Sequence, residues 1–95
     1  MSQPKLTDAD IKDHMGNLPD WSYVDNALSK MYTFPNFVRS IQFTNMVAQA
    51  AEAINHHPDI LIRYNKVTLT LTTHDSGGVT LADIQLAATC DDEAG

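Results

Sequence analysis

Basic residues are scarce in this chain: six lysines and arginines stand against twelve aspartates and glutamates, a formal net charge of -6. A nucleic-acid backbone or an anionic membrane selects for a basic face, so neither is expected as a partner. Cysteine is nearly absent too. With Cys90 alone no intrachain disulfide forms, nothing calls for an oxidising compartment, and a cytoplasmic location is the default expectation. No window approaches the ~20 apolar residues of a membrane span, and the opening "MSQPKLTDADIKDH" has no apolar core of a signal peptide. Repeats, linkers and low-complexity segments are missing as well. A lone "SGG" has neither the P-loop nor the dinucleotide spacing, and no H-E-x-x-H or cysteine pair accompanies the histidines. What remains is 95 residues, 43% hydrophobic and 19% charged, which is one domain, residues 1–95, with enough chain for one core.

Hydrophobic spacing divides that domain into alternating helices and hairpins. Thr7 with Asp10 resembles a capping box, and Ile11, Met15 and Leu18 form one helical face that runs until Pro19. Residues 21–24 and 28–34 are strand-like, joined by a turn at Asp25 to Ala27. Beyond Pro35, Phe43, Val47, Ala50 and Ile54 mark a long alanine-rich helix. Pro58 stops it near Asn55 or His56, because a residue before proline is pushed out of helical geometry. Two β-branched runs follow, 60–64 and 67–73, turning at Asn65-Lys66. In the second, Val67, Leu69 and Leu71 take one face, with Thr68, Thr70, Thr72 and His74 on the other. Thr80 and Asp83 then cap a last helix carrying Leu81, Ile84 and Ala88. The expected fold is α+β, in the order α-β-β-α-β-β-α, with a layer of helices on an antiparallel sheet.

This order makes the histidines converge. A turn at Asn65-Lys66 sets Tyr64 opposite Val67 and returns His74 to a place opposite His57, beside His56 and Pro58. The carbonyl-rich end of the long helix favours an imidazolium there, and Glu52, one turn before His56, adds to it. An imidazole near its ordinary pKa of ~6.5 both gives and takes protons around neutral pH, which is what acid/base catalysis requires. Each residue also has a plainer reading: Glu52 on a solvated helix face or paired with His56, Asp83 as a helix cap, His74 as a polar edge residue, His14 as surface, Trp21 as core. Adjacent histidines are not a usual zinc-ligand spacing, so a metal is not expected.

The motifs "E-x-x-x-H-H-P" (Glu52 to Pro58), "YNKV" (Tyr64 to Val67), "L-T-T-H" (Leu71 to His74) and "G-G-V-T-x-x-D" (Gly77 to Asp83) occur in order. Trp21 and the "F-x-x-F" of Phe34 and Phe37 precede them. Together they resemble the pterin-4a-carbinolamine dehydratase family. The resemblance implies a four-stranded antiparallel sheet with three helices, and dehydration of a 4a-hydroxytetrahydropterin to the quinonoid dihydropterin in tetrahydrobiopterin-type recycling. It implies no metal or organic cofactor, the pterin being substrate. His56 and His74 would be acid and base, with Glu52 orienting His56. His57 would hold substrate, Pro58 shape the wall, Asp83 lie at the edge and Trp21 line the pocket. It further implies a homodimer or homotetramer, and a pterin-dependent aromatic amino-acid hydroxylase as functional partner. The alternative it leaves open is a binding role, since some members serve as dimerisation partners of a transcription factor through the long helix.

Overall fold

The computed structural model describes residues 3–95. Thr7 accepts the amide of Asp10 at 3.1 Å and starts α1 (Asp8–Met15), whose first turn carries Asp8 and Asp10 against the helix dipole. The apolar spacing carries this helix to Leu18, but α1 stops at Met15. The amides of Asn17 and Leu18 instead bond the carbonyls of His14 and Met15, a tightened turn that delivers Leu18 to the core.

Strand β1 (Ser22–Val24) and β2 (Ala27–Thr33) are joined by Asp25 and Asn26, both with positive φ (54° and 62°). Two left-handed residues give a turn that matches the twist of a hairpin, and Asp and Asn tolerate that geometry. After α2 (Phe37–Ala53) come β3 (Asp59–Arg63) and β4 (Lys66–Leu71), and α3 (Leu81–Ala94) ends the chain described. The four strands are all antiparallel in the order β1-β2-β4-β3. The α+β fold and its element order are therefore as expected.

One sheet face is the core. Val67, Leu69 and Leu71 of β4 and Leu28 and Tyr32 of β2 are buried, together with Phe43, Val47 and Ala51 of α2 and Leu86, Ala87 and Cys90 of α3. Each fully buried large apolar side chain contributes about 1.5–3 kcal/mol. The buried stripe of α2 includes Ser40 and Ala51, whereas Ala50 is half-buried and Ile54 is 43% exposed. Ile54 caps the helix at φ −107°, so the helical path that would have turned it inward has already ended. Phe43 and Val47 are fully enclosed in this chain's own core.

The second hairpin turns one residue earlier than expected. Tyr64 and Asn65 form the loop, Arg63 pairs with Lys66, and Val67 faces Ile62 rather than Tyr64. Asn65 is the cause: its carbonyl accepts from Phe34 N at 2.8 Å and its side-chain amide donates to Phe34 O at 2.9 Å, locking it to the end of β2. The partner shifts by two residues, so the same side chains still face the core. β4 ends at Leu71, short of Thr73.

A second polar tie holds the far end of α3. Asp91 accepts from Trp21 Nε1 (3.2 Å), Lys30 Nζ (2.8 Å) and Tyr32 Oη, and Lys30 also lies over the Tyr32 ring. Burial pushes the Asp91 carboxyl upward, but the bonds from Lys30, Tyr32 and Trp21 outweigh it and hold the group below its ordinary range. Burial, then the bond to Asp91, holds the Tyr32 phenol far above its own. A carboxylate whose folded pKa is depressed stabilises the fold above the unfolded value of about 4, and that stability is lost as pH falls through the folded value. Asp91→Ala is expected to cost about 2–3 kcal/mol in urea denaturation at pH 7. The gap from wild type should close below about pH 4.

Candidate functional site

The site begins where α2 ends. Asn55 takes the left-handed conformation (φ 50°), its amide bonding Glu52 O at 3.2 Å while the amide of His56 bonds Ala51 O at 3.0 Å. This pair of bonds is a Schellman stop, built here on asparagine rather than glycine. It turns the chain off the helix axis, and Pro58 keeps it extended into β3. His56 thereby points at the start of α3, where its Nε2 bonds Asp83 Oδ1.

The other wall is the loop after β4. Thr73 N donates to Gly78 O at 2.9 Å and Gly78 N returns to Thr73 O at 3.3 Å, closing a short 3-10 turn (His74–Ser76). Gly77 completes it at φ 80°, where a side chain is strained. A cleft of about 240 Å³ lies between, lined by Asn55, His56, His57, Thr72, Thr73, His74 and Asp75. Three imidazoles thus share one small cleft. An adjoining cavity of about 370 Å³ shares Asn55, His56, Thr73 and Asp75 and adds Gln3, Ile54, Thr80 and Ala82.

Several site expectations are redrawn. Glu52 does not meet His56; its carboxylate bonds His57 Nε2, and both side chains are exposed. The left-handed turn at Asn55 removes His56 from the i+4 position of a continuing helix and brings His57 back over Glu52. Asp83, expected at the edge of the site or as a helix cap, is fully buried, at once the N3 member of the α3 capping box and the partner of His56. Trp21 is 4% exposed, packs edge-on against Tyr32 and bonds Asp91; it lines neither cavity. Pro58 is half-buried and also lines neither, so its place is to set the chain direction. His14 lies on a separate apolar groove with Leu81 and Ile84.

The sequence assigned no site role to Asn55, Thr72, Thr73 or Asp75, although Thr72 and Thr73 lie within the L-T-T-H motif. Asn55 carried a local structural signal, as an αL-tolerant residue directly after a helix. Among the described residues no three His, Cys, Asp or Glu side chains are grouped to hold a metal ion. Burial, with Asp91 and Glu93 nearby, pushes the Cys90 thiol up to about 12, which disfavours the nucleophilic thiolate.

Fold and cleft define a small α+β protein with a histidine-lined pocket at one end of its helix layer. The chain belongs to the pterin 4 alpha carbinolamine dehydratase family, whose profile matches residues 4–93. A protein of Picosynechococcus sp. named "Putative pterin-4-alpha-carbinolamine dehydratase" is 49% identical over 92% of this chain and 95% of its own. One of the same name from Chloroflexus aurantiacus is 47% identical over 97% and 99%. A crystal structure from Brucella melitensis, described as a transcriptional coactivator/pterin dehydratase, superposes with a TM-score of 0.92 at 33% identity, covering 96% of this chain and 99% of that one. A pterin dehydratase-like RuBisCO assembly factor of the alpha-carboxysome, 24% identical with a TM-score of 0.67 over 79% and 87%, shares the fold.

Because Asn55 sits at positive φ, a β-branched residue there is strained. Asn55→Val is expected to lose about 1–2 kcal/mol in denaturant melts, while Asn55→Gly stays within a few tenths of wild type.

Proposed function

We propose that this protein dehydrates 4a-hydroxytetrahydropterin to quinonoid dihydropterin and water. The observation that carries the reading is the gathering of His56, His57 and His74 on one cleft, in a chain of the carbinolamine dehydratase family. The reaction breaks the C4a–O bond and an N–H bond of the adjacent ring nitrogen, and forms the C=N bond between them. One imidazolium protonates the departing hydroxyl as water and one neutral imidazole takes the nitrogen's proton, so the enzyme ends with the protons it began with. His56 and His74 suit these roles, and His57, steadied by Glu52, suits substrate binding. Asp83 has no exposed surface with which to meet a substrate and serves through His56. The pterin is substrate, in the recycling of a tetrahydrobiopterin-type cofactor after an aromatic amino-acid hydroxylase. A single buried cysteine suits the reducing cytoplasm, and among the described residues no helix is long and apolar enough to cross a membrane.

The homodimer or homotetramer reading draws support from β3, an open edge strand with Ile60 37% and Leu61 55% exposed. Binding of a protein partner through α2 is less well supported, since Phe37 and Val38 in its first turn are the only large apolar residues that the helix leaves well exposed among the described residues.

Purified protein should speed the decay of enzymatically generated 4a-hydroxytetrahydropterin above its spontaneous rate; no acceleration overturns the proposal. His74→Ala should lower that rate about a hundredfold. Because His74 is exposed, the melting temperature should stay within about 3 °C. Sedimentation at micromolar concentration should give a species heavier than the 10.5 kDa chain, and a lone monomer peak rejects the oligomer.

A further inference from the structure

Both oxygens of the buried Asp83 carboxylate are in use. Oδ2 accepts the Thr80 amide and the Thr73 hydroxyl, each at 2.9 Å, and Oδ1 faces Nε2 of His56. A hydroxyl has one hydrogen. Thr73 gives its own to Asp83, so the 2.9 Å contact between Thr73 Oγ1 and Thr80 Oγ1 is donated by Thr80, whose oxygen accepts the Ala82 amide at 3.3 Å. The hydroxyl hydrogens run one way, from Thr80 to Thr73 and from Thr73 to Asp83, and the carboxylate is the acceptor at the end of the chain. Asp83 is the acceptor in its contacts with Thr80 and Thr73, and continuing that pattern at Oδ1 places the hydrogen shared with His56 on Nε2. Neutral His56 then keeps its lone pair on Nδ1.

We infer that Asp83, held by Thr73 and Thr80, is a positioning residue that locks His56 in its Nε2–H tautomer, so that Nδ1 is the nitrogen that exchanges protons with a substrate in the cleft. His57 differs: its partner Glu52 is a 74% exposed side chain, free to be replaced by water, whereas Asp83 is sealed from it. The catalytic half of the inference rests on the dehydratase reading; the tautomer does not.

The test is long-range proton–nitrogen correlation of the His56 ring in 15N-labelled protein, alongside steady-state kinetics on 4a-hydroxytetrahydropterin. Wild type should show a protonated Nε2 and an unprotonated Nδ1. Thr73→Val removes the hydroxyl at similar size; it should give mixed tautomers and lower kcat about tenfold with KM within about twofold, the pattern of lost orientation. Thr73→Ser should restore one tautomer and most of the rate. A wild-type Nδ1–H tautomer, which needs no variant to detect, overturns the inference. So does a Thr73→Val protein that keeps one tautomer with normal kcat, or one whose KM alone rises, since that marks a substrate contact. If wild type shows the Nε2–H tautomer but no dehydration, the dehydratase reading fails while the lock on His56 stands.

Discussion

A buried carboxylate stands at the junction of every segment that builds the cleft. Asp83 caps the first turn of α3, takes a hydroxyl from the exit of β4 and bonds the imidazole just beyond α2. Moving an ionised carboxylate out of water costs several kcal/mol unless its lone pairs are filled. Here the Thr80 amide, the Thr73 hydroxyl and His56 fill them, so the cost is met only when all three segments are in place. The demand to satisfy one buried carboxyl group therefore fixes the relative position of two helix ends and a loop more tightly than apolar contact does, because hydrogen bonds are directional and hydrophobic burial is not.

The opposite end of α3 is held by the same kind of logic with different partners. Asp91 gathers an indole, an ammonium and a phenol from the sheet side, while Leu86, Ala87 and Cys90 bury the face between the two carboxylates. The helix is pinned near both termini, and the cleft is at the end where the pin also holds a histidine. Packing of Tyr32 and Phe34 against Phe43, with ring centroids 4.7 and 5.0 Å apart, ties α2 to the same sheet.

Most of the fold was legible in the chain. Caps at Thr7 and Thr80, alternation from Val67 to Leu71 and the proline after the histidines are local signals, and each named its element correctly. The second turn was misplaced because Asn65 is held by Phe34, a partner thirty-one residues away that no local rule can see. The error left the core face intact only because a partner shift of two preserves strand parity. The motif residues His56, His57 and His74 are together on the cleft, but Glu52 and Trp21 were given neighbours they do not have. Helical spacing promised Glu52 a contact with His56, and the left-handed Asn55 cancelled it.

By itself the sequence determined which segments are helix and strand, which face of each is apolar, and that the chain returns His74 to the neighbourhood of His56 and His57. These follow from periodicity, caps and proline, all of which act within a few residues. Tertiary structure alone decided which carboxylate serves which imidazole. That choice depends on the direction of side chains leaving three separate elements, and on which carboxylate is sealed from water: Asp83 is, and Glu52 is not.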